Sequence, residues 1–311
     1  MRRRDPDNTS IRGLAERRER RGRLICAAAL LLAFTAVSVA VDAYRCANEF
    51  VVTEYVFPTD KVTEEVSFVM ISDLHESLFG EDNERLTAAI RALGPDAILC
   101  VGDMITRTVG DDKLHIGLDL MAEMAKISPT YMSLGNHEDI YVRTHGDGIL
   151  RELKKSGVRL LELEYEDAVF HGQTVRIGGT SDYCFNYGMS EEEYRRSEKY
   201  AFFLDMCDTD SYSILLSHRP TAYRLESEAE HYEDWDLDLV LAGHTHGGLW
   251  RIPFIGCLYL PQQGFFPKLD KGLKDMGRAD MIIGAGLGSE DFLFRFNDPC
   301  EIVSIRLVPA E

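Results

Sequence analysis

The stretch Val66-Ser-Phe-Val-Met-Ile-Ser72, running straight into Asp73-Leu74-His75, sets the reading of this chain. A short apolar run of this kind, bounded by turn residues, reads as a buried strand. The same pattern recurs four times. Asp96-Ala-Ile-Leu-Cys-Val101 leads to Gly102-Asp103, Thr130-Tyr-Met-Ser-Leu134 to Gly135-Asn136-His137-Glu138, Ser211-Tyr-Ser-Ile-Leu-Leu216 to Ser217-His218, and Leu237-Asp-Leu-Val-Leu-Ala242 to Gly243-His244-Thr245-His246. Each polar motif therefore falls at the C-terminal end of a strand. In open α/β sheets that edge binds ligands, because loops from several strands converge there on a rigid scaffold.

Between the motifs, helical patterns alternate with the strands. Residues 82–93 form an amphipathic stretch ended by Gly94-Pro95, and residues 113–127 repeat the pattern before Ser128-Pro129. A helix over 145–156 leads to a strand at 158–163, residues 166–177 read as a hairpin turning at His171-Gly172, and 191–207 is a charged helix. After Gly247-Gly248 the pattern changes to short strands at 249–252, 257–260, 281–284 and 301–308. Such an order predicts an α/β fold with two packed sheets flanked by helices.

The motifs combine carboxylates, an amide and imidazoles. That mixed oxygen and nitrogen set suits Mn, Fe or Zn, whereas an all-oxygen set would point to Mg or Ca and a thiolate set to structural zinc. It also exceeds what one ion needs. A polar cluster placed directly after an apolar strand requires partners to justify its burial.

Taken together and in this order, the five motifs resemble the calcineurin-like metallophosphoesterase family over residues 66 to about 307. The resemblance implies a four-layer αββα sandwich with two mixed sheets and a site holding two divalent or trivalent metal ions. It implies that Asp73, His75 and His246 hold one ion, that Asn136, His218 and His244 hold the other, and that Asp103 bridges both. His137 would face the substrate as an acid or charge stabiliser, and Glu138 would orient the His137 imidazole. The implied reaction is hydrolysis of a phosphodiester or phosphomonoester by in-line attack of a metal-bridging hydroxide, with no covalent enzyme intermediate. A second enzymatic reading is a pyrophosphohydrolase of nucleotide-linked lipid or wall precursors. A third, non-catalytic reading is a membrane-tethered metal-binding scaffold, against which the imidazole of His137 argues, since a pure binding protein has no use for it.

Segments 284–289 and 295–301, with Gly247-Gly248 and Arg251-Ile-Pro253, resemble the membrane-associated bacterial branch of that family. Some members of the branch resemble hydrolases of UDP-diacylglucosamine, a lipid made at the cytoplasmic face. Residues 178–183, with Phe185-Asn186-Tyr187, offer hydrogen-bonding and aromatic groups for a sugar or base, and equally suit an ordinary structural loop. His115, His145, His171 and His231 fall outside the motifs and read as surface residues. The seven cysteines show no metal or redox spacing, and no disulfide pairing is assigned.

Charge separates the N-terminus from the remainder. The first 23 residues carry nine Arg against four acids, a net +5, while the whole 311-residue chain stands at −18, which leaves −23 for the rest. An acidic domain repels phosphate backbones, so no nucleic-acid partner is expected. Residues 24–41 contain no charged side chain. Eighteen residues at the helical rise give about 27 Å, just enough for a hydrocarbon core of ~30 Å.

The expected organisation is thus a basic tail (1–23), a transmembrane anchor (24–41), a linker with an initial strand (42–65) and a metallophosphoesterase domain (66–311). Arg-rich flanking sequence places the tail in the cytoplasm and the catalytic domain outside, on a single-pass membrane protein. Two alternatives for the apolar segment are a cleaved signal peptide, with Ser38-Val39-Ala40 as the small-residue site, and twin-arginine export through Arg20-Arg21.

Overall fold

The computed structural model describes residues 6–181, 190–220, 236–261, 263–277, 279–289 and 294–310. Met1–Arg45 and Cys46–Glu311 form two compact units. The first is built on one continuous helix, α1 (Pro6–Asn48), which runs through the uncharged segment and beyond both of its ends. Its apolar side chains, Leu30, Leu31, Leu32 and Phe34 among them, face outward. By length and composition Gly13–Asn48 is a candidate membrane span.

In chain order the second unit contains β1 (Phe50–Thr59), β2 (Val66–Ile71), α2 (Glu84–Leu93), β3 (Ala97–Cys100), α3 (Asp111–Ile127), β4 (Thr130–Met132), α4 (Asn136–His145), α5 (Gly148–Lys155) and β5 (Arg159–Leu160). Then follow β6 (Glu164–Phe170), β7 (Gln173–Thr180), α6 (Glu191–Arg195), α7 (Glu198–Cys207), β8 (Tyr212–Ser217) and β9 (Leu239–Ala242). The short strands β10 (Arg251–Ile252), β11 (Gly256–Cys257), β12 (Tyr259–Leu260) and β13 (Gly264–Phe265) precede β14 (Gly272–Asp275), β15 (Asp280–Ile283) and β16 (Cys300–Pro309).

Two mixed six-stranded sheets result, ordered β1-β16-β2-β3-β4-β5 and β14-β15-β9-β8-β7-β6. β2 through β5 are mutually parallel, as are β7, β8, β9 and β15. β10 pairs with β11, and β12 with β13, as two small antiparallel hairpins.

Strand period explains the layers. Along β2, Phe68 and Met70 enter the core shared with Ile214, Leu216, Leu239 and Leu241 of the other sheet. Val69 and Ile71 point the opposite way, against Leu86 and Ile90 of α2 and Met121 and Met124 of α3. On the second sheet Leu215 and Val240 turn outward to Phe202, Phe203 and Met206 of α7. Each strand is apolar on both faces because each face is covered, which gives the αββα sandwich.

Three local expectations are corrected. The helix read over 145–156 is α5 alone, preceded by α4, which begins at Asn136 and stops at Gly146, where φ is +85°. The charged helix over 191–207 is two helices, because the Ser197 side chain caps a new start by accepting from the Tyr200 N–H at 3.2 Å. Gly178 and Gly179 belong to β7 and lie so close to Met206 and Leu161 that a Cβ would clash, so this part of the proposed binding loop serves packing. Residues 182–187 lie outside the described residues, as does His231. His115, His145 and His171 are exposed, the last paired with Asp96 at 2.7 Å.

Candidate metal centre

The loops that leave β2, β3, β4, β8 and β9 bring their polar motifs to one edge. Donor atoms of Asp73, His75 and His246 lie within 4.8 Å of one another, as do those of Asp103, His218 and His244, and those of His75, Asp103 and His137. His218 Nε2 is 3.0 Å from Asp103 Oδ2, while His75 Nε2 and His137 Nε2 each lie 3.9 Å from the same oxygen. His246 Nε2 is 3.7 Å from Asp73 Oδ1. Asn136 opens α4 and is buried there.

Backbone hydrogen bonds fix these loops to each other. The Asp73 N–H donates to the Gly102 carbonyl at 2.9 Å, and the His244 N–H donates to the Asp73 carboxylate at 3.0 Å, tying the two sheets together. Asp73, His75, Asp103, His244 and His246 all sit at positive φ, between 46° and 68°. Such backbone costs of order 1–3 kcal/mol per residue and persists only where surrounding structure over-determines it. Gly135 is required because any side chain there would overlap the Asp103 carboxylate.

Imidazole hydrogen bonds divide the histidines into two kinds. His218 Nδ1 faces the Val101 carbonyl at 2.7 Å and His246 Nδ1 faces the Gly288 carbonyl at 3.1 Å. A carbonyl only accepts, so these rings carry hydrogen on Nδ1, and the neutral ring keeps its Nε2 lone pair for the site. His137 is the reverse: its Nδ1 accepts the Arg107 N–H at 2.8 Å, which leaves the hydrogen on Nε2. Its own N–H donates to Asp103 Oδ1 at 2.8 Å.

Burial, followed by the neighbouring imidazoles, drives His75 and His244 well below the ordinary histidine pKa, and burial lowers His246 against the pull of Asp73. Neutral imidazole is the form that binds metal. Burial works to raise the Asp103 carboxyl, but the His218 imidazole, helped by His75 and His137, brings it well below the usual range.

The residues fit metal ions on two counts. Neither ring nitrogen of buried His75 has a hydrogen-bond partner, nor does Asn136 Oδ1. A neutral His218 Nε2 and Asp103 Oδ2, 3.0 Å apart, are two acceptors facing each other, an arrangement that a cation or proton between them relieves. The mixed donor set is that of first-row transition metals or zinc.

Glu138 does something other than expected. Its carboxylate accepts the N–H groups of Asp103 (2.8 Å), Met104 (2.6 Å), Ile105 (3.3 Å) and Gly135 (3.0 Å), so it fastens the loop after β3 to the start of α4 instead of orienting His137. Burial and then the Asp103 charge push its carboxyl up, and the N–H donors oppose them. The same loop is held from the other side by Glu76, which accepts from the Thr106 N–H at 2.5 Å and hydroxyl at 2.6 Å. Neither interaction has a signal in sequence, because both join segments about 30 residues apart.

Segment 284–289 supplies backbone to the centre. The Leu287 and Gly288 N–H groups donate to the Ser72 and Asp73 carbonyls at 3.0 and 2.6 Å, and Gly286, at φ +72°, passes Asp73 too closely for a side chain. Fully buried Arg295 holds this segment. It donates Nη2 to the Ala285 carbonyl at 2.6 Å and to that of Gly288, and Nη1 to the His246 carbonyl at 3.4 Å, and it lies 3.5 Å from Asp298. Lys271 reaches Asp298 at 3.6 Å and Glu301 at 3.4 Å.

A cavity of about 540 Å³ opens on this edge. Asp103, Asn136, His137, His244 and His246 line one side; Leu249, Trp250, Leu258, Tyr259, Leu260 and Pro261 line the other.

Comparison with known proteins agrees with this geometry. Residues 66–248 match the model of the calcineurin-like phosphoesterase family, and the chain belongs to that family. It is 29% identical over 247 residues to an uncharacterized metallophosphoesterase of Campylobacter jejuni, covering 78% of this chain and 59% of that protein. It is 25% identical over 294 residues to a zebrafish protein named as a transmembrane protein with a metallophosphoesterase domain, covering 90% and 62%. Phosphodiesterase YaeI of Escherichia coli is 28% identical over 255 residues, covering 77% and 81%. The chain thus spans less than two thirds of the length of the Campylobacter and zebrafish relatives.

Proposed function

We propose that the chain is a metal-dependent phosphodiesterase or phosphomonoesterase that holds two ions at this edge and is anchored to a membrane by α1. In this reading Asp73, His75 and His246 hold one ion, Asn136, His218 and His244 the other, and Asp103 lies between them. The observation that carries it is the convergence of these six side chains around Asp103, with the His75 nitrogens and Asn136 Oδ1 lacking hydrogen-bond partners among the described residues. When bound, a metal pair supplies a nucleophilic hydroxide at neutral pH and neutralises phosphoryl charge.

The chain's own residues do the rest. Val101 and Gly288 carbonyls orient the His218 and His246 rings so that Nε2 faces the centre. His137, with its hydrogen placed on Nε2 by the Arg107 N–H, is positioned to hydrogen-bond the departing oxygen and stabilise its charge. In the balanced reaction water oxygen bonds to phosphorus keeping one hydrogen, the P–O bond to the leaving group breaks, and the leaving oxygen takes the water's other proton. Basic residues before the apolar part of α1 support a cytoplasmic tail and an extracytoplasmic catalytic domain.

Chelated protein should regain hydrolysis of bis-para-nitrophenyl phosphate on addition of Mn, and Asp103→Ala should lose it by at least roughly 10³-fold, about 4 kcal/mol of transition-state stabilisation. Absence of turnover with Mn, Fe and Zn alike would falsify this reading.

A further inference from the structure

The two hairpins after β9 have an unusual surface. The β12–β13 hairpin and the residues flanking the β10–β11 hairpin, Trp250, Leu258 and Leu260 among them, wall the cavity, while the β10–β11 turn and the end of β13 present large apolar side chains to solvent. Phe254 is 109% exposed, Phe265 70%, Ile255 64% and Phe266 56%. Trp250 and Phe294, with ring centroids 5.1 Å apart and planes tilted by 40°, are exposed as well. Contiguous exposed apolar patches mark interaction sites.

Backbone conformation gives a second, independent observation. Phe254 and Phe266 both lie at positive φ, 66° and 53°, as does Leu249 in the cavity wall at 58°. For bulky side chains this is a strained conformation, one that glycine would adopt without cost. Strained backbone that presents aromatic rings outward is spent on what the rings touch.

Charge narrows the occupant. The chain beyond its first 23 residues stands at −23, so long-range electrostatics do not draw it to an anionic surface. Attachment must come from apolar insertion, and Phe, Trp and Tyr side chains are suited to the bilayer interface. The same chain carries a helix of membrane-spanning length.

We propose that the hairpin pair is where the catalytic domain meets the bilayer, and that the substrate is a phosphoester bearing a hydrocarbon tail, which the apolar wall receives while its phosphoryl group reaches the metal edge. This rests on the phosphoester-hydrolase reading above and deepens it. The bonds made and broken are those of the same hydrolysis.

The full chain, reconstituted in phosphatidylcholine nanodiscs with Mn, should be assayed on two esters: soluble bis-para-nitrophenyl phosphate and bilayer-borne hexadecyl para-nitrophenyl phosphate. The double variant Phe254→Ser, Phe265→Ser should keep the soluble rate within about twofold and raise KM for the bilayer-borne ester by roughly tenfold or more. Equal change on both esters, or on neither, overturns the proposal while leaving the phosphodiesterase reading intact, as does wild-type turnover of the soluble ester alone.

A second measurement does not need turnover. A Phe254→Trp variant in nanodiscs containing brominated lipid should show quenched fluorescence beyond that of the wild type, insensitive to salt. Unchanged fluorescence overturns bilayer contact, including the case in which a protein partner covers the patch.

Discussion

Around Asp103, buried polar groups converge without partners for every atom: His75 has none at either ring nitrogen, and His218 presents Nε2 to a carboxylate oxygen. Around Arg295, equally buried groups are balanced by charge: the guanidinium reaches backbone carbonyls and lies 3.5 Å from Asp298, and Lys271 is set between Asp298 and Glu301, although Arg295 Nε and both Asp298 carboxylate oxygens make no hydrogen bond among the described residues. The two clusters meet at the Gly288 carbonyl, which receives both His246 Nδ1 and Arg295 Nη2. In the proposed reading one cluster keeps lone pairs for metal ions. The other uses internal charge to hold the loop that aims those lone pairs. Neither burial nor a missing hydrogen bond alone therefore marks a functional group; whether opposite charge from the chain itself stands beside it does.

Arg295→Met is the strongest way to break this contrast. It leaves buried Asp298 with Lys271 as its one remaining ion-pair partner among the described residues and frees several carbonyls, so a loss of about 3–5 kcal/mol in chemical denaturation is expected, together with weaker metal binding through the displaced Gly288. A stable variant with unaltered metal affinity would show that the two clusters are independent.

Metal removal should have the next largest effect and the opposite character. Because the Asp103 cluster is completed by ions, adding Mn at about a hundredfold over Kd should stabilise chelated wild-type protein by roughly 2.7 kcal/mol, read as a rise in Tm. The same addition should leave Tm unchanged in the Asp103→Ala protein.

Glu138→Gln should be milder. The amide retains one acceptor oxygen but turns NH2 toward backbone N–H donors, costing about 1–3 kcal/mol of stability. If Glu138 acts only by fastening the loops, activity should fall no further than the fraction unfolded predicts. A fall in kcat with unchanged Tm would instead tie it to the reaction.

Much of this architecture is legible in the order of residues. The five apolar runs are strands because their composition and flanking turn residues permit little else, and the polar motifs follow them by chain continuity. The seven candidate ligands and His137 lie near one another at the edge where those motifs fall, and that they hold metal is what we propose. What escaped were relations among distant segments: the Glu138 and Glu76 carboxylates on the loop after β3, the start of α4 at Asn136, and the buried group at Arg295. Gly284 to Ser289 resembled a family signature in sequence; in three dimensions its glycines are spaces left for Asp73 and Leu74.

The sequence by itself determined the strand order of donors, the mixed oxygen and nitrogen chemistry and the presence of one long uncharged segment, because these depend on residue type and on neighbours along the chain. Tertiary structure alone decided which imidazole nitrogen faces the centre, which carboxylate is a fastener and which a candidate ligand, and that the segment after β9 walls the cavity with Trp250, Leu258 and Leu260 while exposing Phe254, Phe265 and Phe266. Those properties are set by hydrogen-bond partners and packing between segments far apart in sequence, and no local pattern encodes them.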